Sequence, residues 1–419
     1  MELMPINHPR RGSHPYYHYH HRHYAKPRSN RKWFLLFLPV GLAALCMYWY
    51  IQPLNSISSK TKILSVQTPA KVTISWPATS QASIGSVDQG VLISKPNQTP
   101  KPTASTAKLI TALTVLKHKP LKLGEQGPTI TLTQADVDIY NQYFAKDGSL
   151  AKVAVGEKLT QYQMLQGILL PSANNYADTL AIWAFGSLEK YKAAAQQLVQ
   201  ELNMTKTKIG SDASGFSPDT TSTAEDLTKL AVAAMKNEVV ASIAHQDQVD
   251  LPVAGLKQNT NWLLGADGVV GLKTGNTNEA GGVYVFASIY KIDETHSTTI
   301  VGAVQGEPTV ISAIHQSRLL INQAKSNFKL EKVIKKDQVI ASYSSPWSKE
   351  VYAVAANDVE TLVWKATEIK PNITLRNITV PTSKNTKVGS VKVGNVSTDV
   401  LLQDTLELPN WQWRVLRWL

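Results

Sequence analysis

The sequence predicts a mixed α/β domain followed by a small all-β domain. Two alternating runs between residues 70 and 94 are followed by a mostly helical stretch to about residue 237, three more alternating runs and a helix near 308–327. That order suggests one mixed sheet with helices on its faces. After about residue 330 the chain changes to short alternating runs separated by turn residues, which is typical of a small β-domain.

The N-terminal segment 1–32 is basic and rich in histidine. It contains seven Lys or Arg against one acid, Glu2, and so carries half of the formal net charge of +12. Because this excess lies in a tail, the overall charge gives little support to a nucleic-acid-binding function. The His-rich tract 14–23 has a composition that can bind metal, but contact of a disordered basic tail with anionic lipid is the preferred interpretation. A single cysteine, Cys46, excludes an intrachain disulfide.

The next 19 residues, 33–51, carry no charge and are long enough to cross a bilayer as a helix. Aromatic residues lie at both ends of this stretch, as is typical of membrane interfaces. The positive-inside rule then places 1–32 in the cytoplasm and the rest of the chain outside. A cleaved signal peptide is the alternative, but "LAALC" is a poor cleavage site. Residues 52–66 are predicted to form a polar linker.

The first helix of the central region is predicted to begin at Ser105. The run "STAKLITALTVL" is apolar almost all round and is predicted to be buried. Helical spacing continues in 160–170, 174–185, 190–202 and 224–235, and strands are predicted at 268–275, 281–290 and 298–306.

Ser105 and Lys108 lie three residues apart and therefore share one face of the predicted helix. The Ser-x-x-Lys pattern alone is weak, because it also occurs elsewhere, for example at Ser187 and Lys190. The position of Ser105 at a helix start, where free N–H groups favour negative charge, adds weight. A lysine buried here loses proton affinity, and a neutral amine beside a hydroxyl is a plausible general base.

Two further motifs follow in the chain. Ser172 and Asn174 lie at a break between two helical segments, in "PSANN". Lys273, Thr274 and Gly275 form the single Lys-Thr-Gly in the sequence and are predicted to lie on a strand. A glycine there leaves room for a ligand to approach the backbone, and a cation with a hydroxyl suits a carboxylate.

Ser-x-x-Lys, Ser-x-Asn and Lys-Thr-Gly in this order resemble the signature of penicillin-binding proteins and serine β-lactamases. The spacing of the motifs, and the segments "DGVVGLKTGNTNEAGG" and "SDASGF", are similar to those of low-molecular-mass penicillin-binding proteins, the serine D-alanyl-D-alanine carboxypeptidases. The resemblance covers about 70–325. It implies a penicillin-binding domain at 67–328 with a mostly antiparallel sheet flanked by helices, and residues 329–408 resemble the family's C-terminal β-domain.

The resemblance also implies a role for each motif residue. Ser105 is the expected nucleophile and Lys108 its base, while Ser172 passes a proton to the leaving amine. The other residues are expected to bind substrate: Asn174 orients it, Lys273, Thr274 and Gly275 hold the terminal carboxylate, and Asn276 joins Ser105 in the oxyanion hole. No cofactor and no metal are expected.

The expected reaction removes the terminal D-Ala from peptidoglycan pentapeptides through an acyl-enzyme on Ser105, with β-lactams as inhibitors. An endopeptidase or transpeptidase using the same site, and a non-catalytic envelope scaffold, stay open as alternatives. A class A β-lactamase is disfavoured because Val199 stands where the Glu-x-x-Leu-Asn motif would need its glutamate. A zinc peptidase is disfavoured because the histidines beyond the tail are scattered.

The chain ends with "PNWQWRVLRWL", residues 409–419. Tryptophan beside arginine suits the lipid headgroup boundary, so this tail is predicted to be a second, interfacial membrane contact. The alternative is that its tryptophans pack back onto the β-domain.

Overall fold

A computed structural model describes residues 31–62, 65–67, 72–365 and 368–417. Most of the predicted basic tail, 1–32, lies outside the described residues. The α-helices are α1 (Arg31–Ile51), α2 (Lys108–His118), α3 (Gln134–Phe144), α4 (Gln161–Leu169), α5 (Asn174–Phe185), α6 (Leu188–Glu201), α7 (Ala224–Lys236), α8 (Glu238–Ala244), α9 (Val310–Asn327) and α10 (Trp411–Leu416).

The strands of the N-terminal two thirds are β1 (Ser59–Thr61), β2 (Val66–Gln67), β3 (Gln81–Ser86), β4 (Gly90–Ser94), β5 (Lys101–Pro102), β6 (Thr129–Thr131), β7 (Lys158–Thr160), β8 (Thr221–Ser222), β9 (Gln248–Leu251), β10 (Gly255–Gln258), β11 (Val269–Thr277), β12 (Gly281–Lys291) and β13 (Ser297–Glu307). The C-terminal strands are β14 (Phe328–Ile334), β15 (Val339–Tyr343), β16 (Val351–Ala355), β17 (Val359–Trp364), β18 (Glu368–Ile369), β19 (Asn372–Leu375), β20 (Lys387–Val393) and β21 (Val396–Leu402).

The larger unit is built on a five-stranded antiparallel sheet with the order β11-β12-β13-β3-β4. Helix α9 packs on β12 and β13, and α7 packs on β3 and β13. Strand β12 has seven consecutive buried residues from Gly282 to Ser288. Such a strand needs cover on both faces of the sheet, which the helices supply. The prediction of a mixed α/β fold with a mostly antiparallel sheet and flanking helices is confirmed.

Helices α2, α4, α5 and α6 form the all-helical part of this unit. Residues 108–116 of α2 are all buried, as the nearly uniform apolar sequence predicted. Leu109, Ile110 and Val115 of α2 share one apolar core with Leu165 of α4 and Leu180 of α5. The structure therefore holds α2 rigidly at the centre of the domain.

The C-terminal unit contains a six-stranded sheet with the order β1-β15-β16-β21-β20-β19. Strand β1 lies inside the segment predicted as a polar linker, 52–66, and that prediction is wrong for its middle part. Ile57 is only 7 % exposed and bridges to Ile378, while β1 pairs with β15 at the sheet edge. An edge strand with one exposed side tolerates the polar residues that made the segment look like a linker. The predicted limits 67–328 and 329–408 stay predictions.

The helix α1 covers the segment predicted to span a membrane, 33–51. Within the part of the chain that the structure describes, no helix is both long enough and apolar enough to cross a membrane. The expectation of a transmembrane helix is therefore not supported.

The C-terminal helix α10 contacts the end of α1 and the C-terminal unit. Arg414 donates to the carbonyl of Tyr50 (3.2 Å) and its guanidinium lies 5.0 Å from the Tyr50 ring. Trp413 packs at 4.7 Å on Trp347. Trp411 stays 66 % exposed. The alternative of packing onto the β-domain thus holds for Trp413 but not for Trp411.

Candidate active site

Ser105 lies in a 3₁₀ turn, Ala104–Ala107, that runs directly into α2. The nucleophile predicted at a helix start therefore lies one turn before the α-helix, and Lys108 is the first residue of α2. Ser105 is partly exposed, whereas Lys108 is completely buried. The hydroxyl is open to a ligand and the amine is held inside the protein.

The amine of Lys108 has three neighbours. Its Nζ lies 2.8 Å from Ser105 Oγ, 2.7 Å from Asn174 Oδ1 and 2.9 Å from the carbonyl oxygen of Ser214. The two carbonyl-type oxygens can only accept hydrogen bonds. They therefore take both hydrogens of a neutral amine, and the remaining lone pair points to the Ser105 hydroxyl.

The charge state of Lys108 fits this arrangement. Burial lowers its pKa from the usual range to about 7, although the negative charges of Asp212 and Asp178 oppose the shift. A substantial neutral fraction is therefore present near neutral pH, which a general base at this site needs.

The Ser214 carbonyl is fixed by a tight loop that follows α6. The Asp212 carboxylate accepts from the backbone N–H groups of Ser214 (2.7 Å), Gly215 (2.6 Å) and Ser217 (2.7 Å). Gly215 has φ +72°, and a Cβ there would meet the Ala104 carbonyl oxygen at 2.1 Å. Only glycine lets this loop approach the turn that carries Ser105.

Ser172 lies in the turn between α4 and α5, at the predicted break between helices, and Asn174 is the first residue of α5. Ser172 adopts φ +67°, an unusual conformation for serine. Its side chain is buried, and Oγ has no hydrogen-bond partner among the described residues. A strained backbone and an unsatisfied buried hydroxyl are both costly, and they occur together at functional sites.

Strand β11 carries Lys273, Thr274 and Gly275, as predicted, and lies beside the turn of Ser105. A Cβ on Gly275 would lie 3.0 Å from the Ser105 backbone nitrogen. The glycine is therefore needed because the turn approaches the strand, rather than to admit a ligand alone. Asn276 follows and is exposed at the end of the strand.

Lys273 and Thr274 are buried on this strand. Burial, and then the charge of Lys108, lower the pKa of Lys273 well below its usual range. Its Nζ donates to the Thr274 carbonyl at 3.1 Å, and the hydroxyls of Thr274 and Thr260 lie 2.8 Å apart. A bound anion near Lys273 would restore its proton affinity.

A groove leads away from the site at Asn276. A cavity of about 570 Å³ lies between the loop containing Asp147, the loop containing Phe216 and the β11–β12 turn containing Glu279. An extended ligand reaching the end of β11 therefore has room to continue.

The structure brings all three motifs together, and it adds residues that the sequence analysis missed. Ser214, Asp212 and Thr260 contact the motif residues directly or hold them, yet none belongs to a short motif. These residues lie outside the three motifs, but Asp212 and Ser214 belong to the segment "SDASGF", which resembles the family. The Asp-x-Ser-Gly pattern in that segment is a local signal for a compact turn. In the described residues no cluster of three or more His, Cys, Asp or Glu could hold a metal ion.

Comparison with known proteins agrees with this geometry. Residues 68–303, more than half of the chain, match the family model of peptidase S11, D-alanyl-D-alanine carboxypeptidase. The chain belongs to this family. It is accordingly a serine-type D-Ala-D-Ala peptidase that acts by acyl transfer.

Individual relatives support the same assignment. The D-alanyl-D-alanine carboxypeptidase of Streptomyces sp. strain K15 is 30 % identical over 237 residues, which are 52 % of this chain and 77 % of the relative. The D-alanyl-D-alanine endopeptidase of Escherichia coli K12 is 29 % identical over 233 residues, 53 % of this chain and 72 % of that protein. The crystal structure of penicillin binding protein 5 from Haemophilus influenzae has a TM-score of 0.59 at 18 % identity and covers 80 % of this chain and 100 % of that one, which shows a shared fold.

Proposed function

We propose that this serine D-Ala-D-Ala carboxypeptidase uses Ser105 as its nucleophile and neutral Lys108 as the base. The observation that carries the proposal is the contact set of Lys108 Nζ, which leaves one lone pair for the Ser105 hydroxyl. Ser105 Oγ attacks the carbonyl carbon of the penultimate D-Ala while its proton passes to Lys108. The products of this step are an acyl ester on Ser105 and, once the amide bond breaks, a free D-Ala.

The leaving amine needs a proton, and Ser172 is the residue proposed to pass one on. Its buried hydroxyl has no partner in the described part of the chain and lies two residues from Asn174, which contacts Lys108. The proton taken from Ser105 returns through Ser172 to the amine nitrogen. Water then attacks the ester carbonyl and gives a proton to Lys108, and that proton returns to Ser105 Oγ as the ester bond breaks and the shortened peptide leaves with a new carboxylate.

The developing oxyanion is expected between the backbone N–H groups of Ser105 and Asn276. Gly275 permits β11 to approach the turn of Ser105 closely, so that the two backbone segments lie side by side. Fixed donors aimed at the oxyanion stabilise the transition state more than the ground state.

Lys273 and Thr274 are proposed to bind the terminal carboxylate of the substrate. Burial makes an uncompensated charge on Lys273 unfavourable, and the carboxylate supplies the missing counter-charge. Thr274 adds a hydroxyl that Thr260 orients. β-Lactams, which carry a comparable carboxylate, are expected to occupy the same place.

Product analysis on purified muropeptides tests which bond is cut. We expect pentapeptide to lose one D-Ala and cross-linked dimers to stay intact. Release of monomers from dimers would instead assign the endopeptidase activity that the Escherichia coli relative's name describes, and formation of new dimers would assign transpeptidation. An inert chain that also fails to bind penicillin would favour the scaffold alternative.

We also propose that the chain contacts a membrane surface through α1 and α10, with the catalytic unit on the outer side, where peptidoglycan lies. Exposed apolar side chains follow α1, namely Phe37, Leu38, Val40, Leu42, Met47 and Ile51. On α10, Trp411 and Leu416 are exposed, and Arg414 and Arg417 lie beside them. Apolar side chains next to arginine suit an anionic interface.

A vesicle experiment tests the contribution of α10. The piece 53–419 keeps every described strand, and we expect it to bind phosphatidylglycerol vesicles with a blue shift of Trp fluorescence. Replacing Trp411 and Leu416 together by Ala should weaken vesicle binding by about tenfold or more, because the variant has less apolar side-chain area for the lipid to bury. Trp262→Ala, an exposed tryptophan of the catalytic unit, is the control and should change nothing. Equal binding by all three proteins would contradict the assignment to α10.

A further inference from the structure

Asp178 is a buried carboxylate one helical turn after Asn174 on α5. Its Oδ1 accepts from the backbone N–H of Ala213 at 2.8 Å, and its Oδ2 accepts from the Tyr143 hydroxyl at 2.7 Å. The carboxylate thus joins α5, α3 and the loop that follows α6. None of the three sequence motifs contains it.

This loop matters because the Ser214 carbonyl receives one hydrogen of Lys108. Ala213 directly precedes Ser214, and the Tyr143 hydroxyl lies 3.3 Å from Ser214 Oγ. The two hydrogen bonds of Asp178 therefore fix the backbone before Ser214 and the tyrosine beside its side chain. Loss of these bonds would remove one of two supports of the carbonyl that keeps the lone pair of Lys108 directed at Ser105, the other being the Asp212 turn.

We propose that Asp178 is a positioning residue for the base: together with Asp212 it holds the loop that directs the Ser214 carbonyl at Lys108, and its negative charge favours the protonated amine. The inference rests on the proposed role of Lys108. Asp178 does not touch the substrate in this scheme and acts through the loop and through its charge.

Several charged groups affect the protonation of the Lys108 amine, and the direction of each effect is defined. Asp178 and Asp212 favour the charged amine, whereas the charge of Lys108 and that of Lys273 disfavour each other. Two phenols interact with Asp178 and Asp212, Tyr143 on α3 and Tyr191 on α6; burial raises their pKa values above the usual range, so that they stay neutral.

The sign of the expected effect follows from these charges. Burial raises the pKa of Asp178 to about 6, although its hydrogen bond from Tyr143 opposes the shift, so the group is mostly ionised at pH 7 and above. The ionised carboxylate raises the pKa of Lys108. Removing its charge should therefore let Lys108 become neutral at a lower pH.

Asp178→Asn removes the negative charge but keeps the hydrogen bonds. The amide oxygen can still accept from Ala213, and the amide N–H₂ can donate to Tyr143, which then turns its own hydrogen to Ser214. We expect the rate of penicillin acylation, measured from pH 5 to 9, to keep its plateau within about threefold. The acidic limb of the pH–rate profile, the range in which the rate falls as Lys108 becomes protonated, should move to lower pH by about 0.5 to 1 unit.

Asp226→Asn is a matched control. Asp226 is also buried, and its Oδ2 likewise accepts from one backbone N–H, that of Lys206 (2.8 Å), and one hydroxyl, that of Thr207 (3.0 Å), while its Oδ1 pairs with Lys229 Nζ (2.8 Å). It is not among the charges that act on Lys108. This variant should lower the melting temperature without moving the acidic limb.

Asp178→Ala removes the contacts as well as the charge. We expect its acylation plateau to fall by about tenfold or more, with KM for a peptide substrate changed much less, because the base rather than the binding groove is disturbed. A wild-type chain that shows no acidic limb near pH 7 would overturn the role of Lys108 and this inference with it. A normal wild-type limb that Asp178→Asn leaves in place, or that Asp226→Asn moves equally, would overturn the role of Asp178 alone.

Discussion

Ser105→Ala is expected to abolish covalent labelling by penicillin, with a fall in acylation rate of at least about 10⁴-fold. The alanine removes the only atom that can form the ester, while the four-residue turn that contains it and the buried helix α2 keep their packing. Intact-mass spectrometry of the wild-type chain should show one adduct, and peptide mapping should place it on Ser105.

Ser187→Ala provides the matched control for this prediction. Ser187 and Lys190 share the Ser-x-x-Lys spacing, but Ser187 caps α6 by accepting from the backbone N–H of Lys190, and Lys190 is exposed. Labelling of this variant should equal that of the wild type. An adduct that persists in Ser105→Ala would show that the nucleophile has been assigned wrongly.

Lys108→Arg is expected to abolish acylation to a similar degree. A guanidinium does not lose its proton in the working pH range, so it cannot accept the proton of Ser105. It is also larger than the ammonium group and would enter a site in which Lys108 is completely buried. Acylation should therefore stay below about one thousandth of the wild-type rate even at pH 9, where a lysine base is fully neutral.

Two further variants separate loss of the base from loss of the fold. Lys108→Met keeps most of the length of the side chain without the amine, so it should fold, with a melting temperature lowered by the loss of the two hydrogen bonds to Asn174 and Ser214, and still fail to acylate. Lys117→Arg lies on the same helix and keeps its ion pair with Glu201, so it should behave as the wild type does. Normal acylation by Lys108→Met would exclude Lys108 as the base.

The secondary-structure element of most motif residues followed from the sequence, although Ser105 lies in the 3₁₀ turn before α2 rather than in the α-helix itself. An almost wholly apolar segment containing one lysine had to be a buried helix, and the break before Asn174 marked the turn between α4 and α5. Likewise, Lys-Thr-Gly within an alternating run fell on strand β11. These features are local, because helix and strand periodicity is set by neighbours within a few residues.

The segment with strand β1 shows where such local reasoning fails. Its polar residues carry no strong strand pattern, and its pairing with β15 joins residues about 280 positions apart. The same holds for the predicted interfacial tail, because the contact between Arg414 and Tyr50 joins residues 364 positions apart. Side-chain composition cannot specify a partner at such a distance.

The sequence by itself determined the catalytic family and the order of the motifs, and it predicted Ser105 as the nucleophile, because these depend on residue types at short spacings. Only the tertiary structure decided what surrounds Lys108. The Ser214 carbonyl, the Asp212 turn and the Asp178 carboxylate come to it from segments 70 to 106 residues away. Burial and nearby charge set the proton affinity of an amine, and both are properties of packed neighbours rather than of the lysine's own segment.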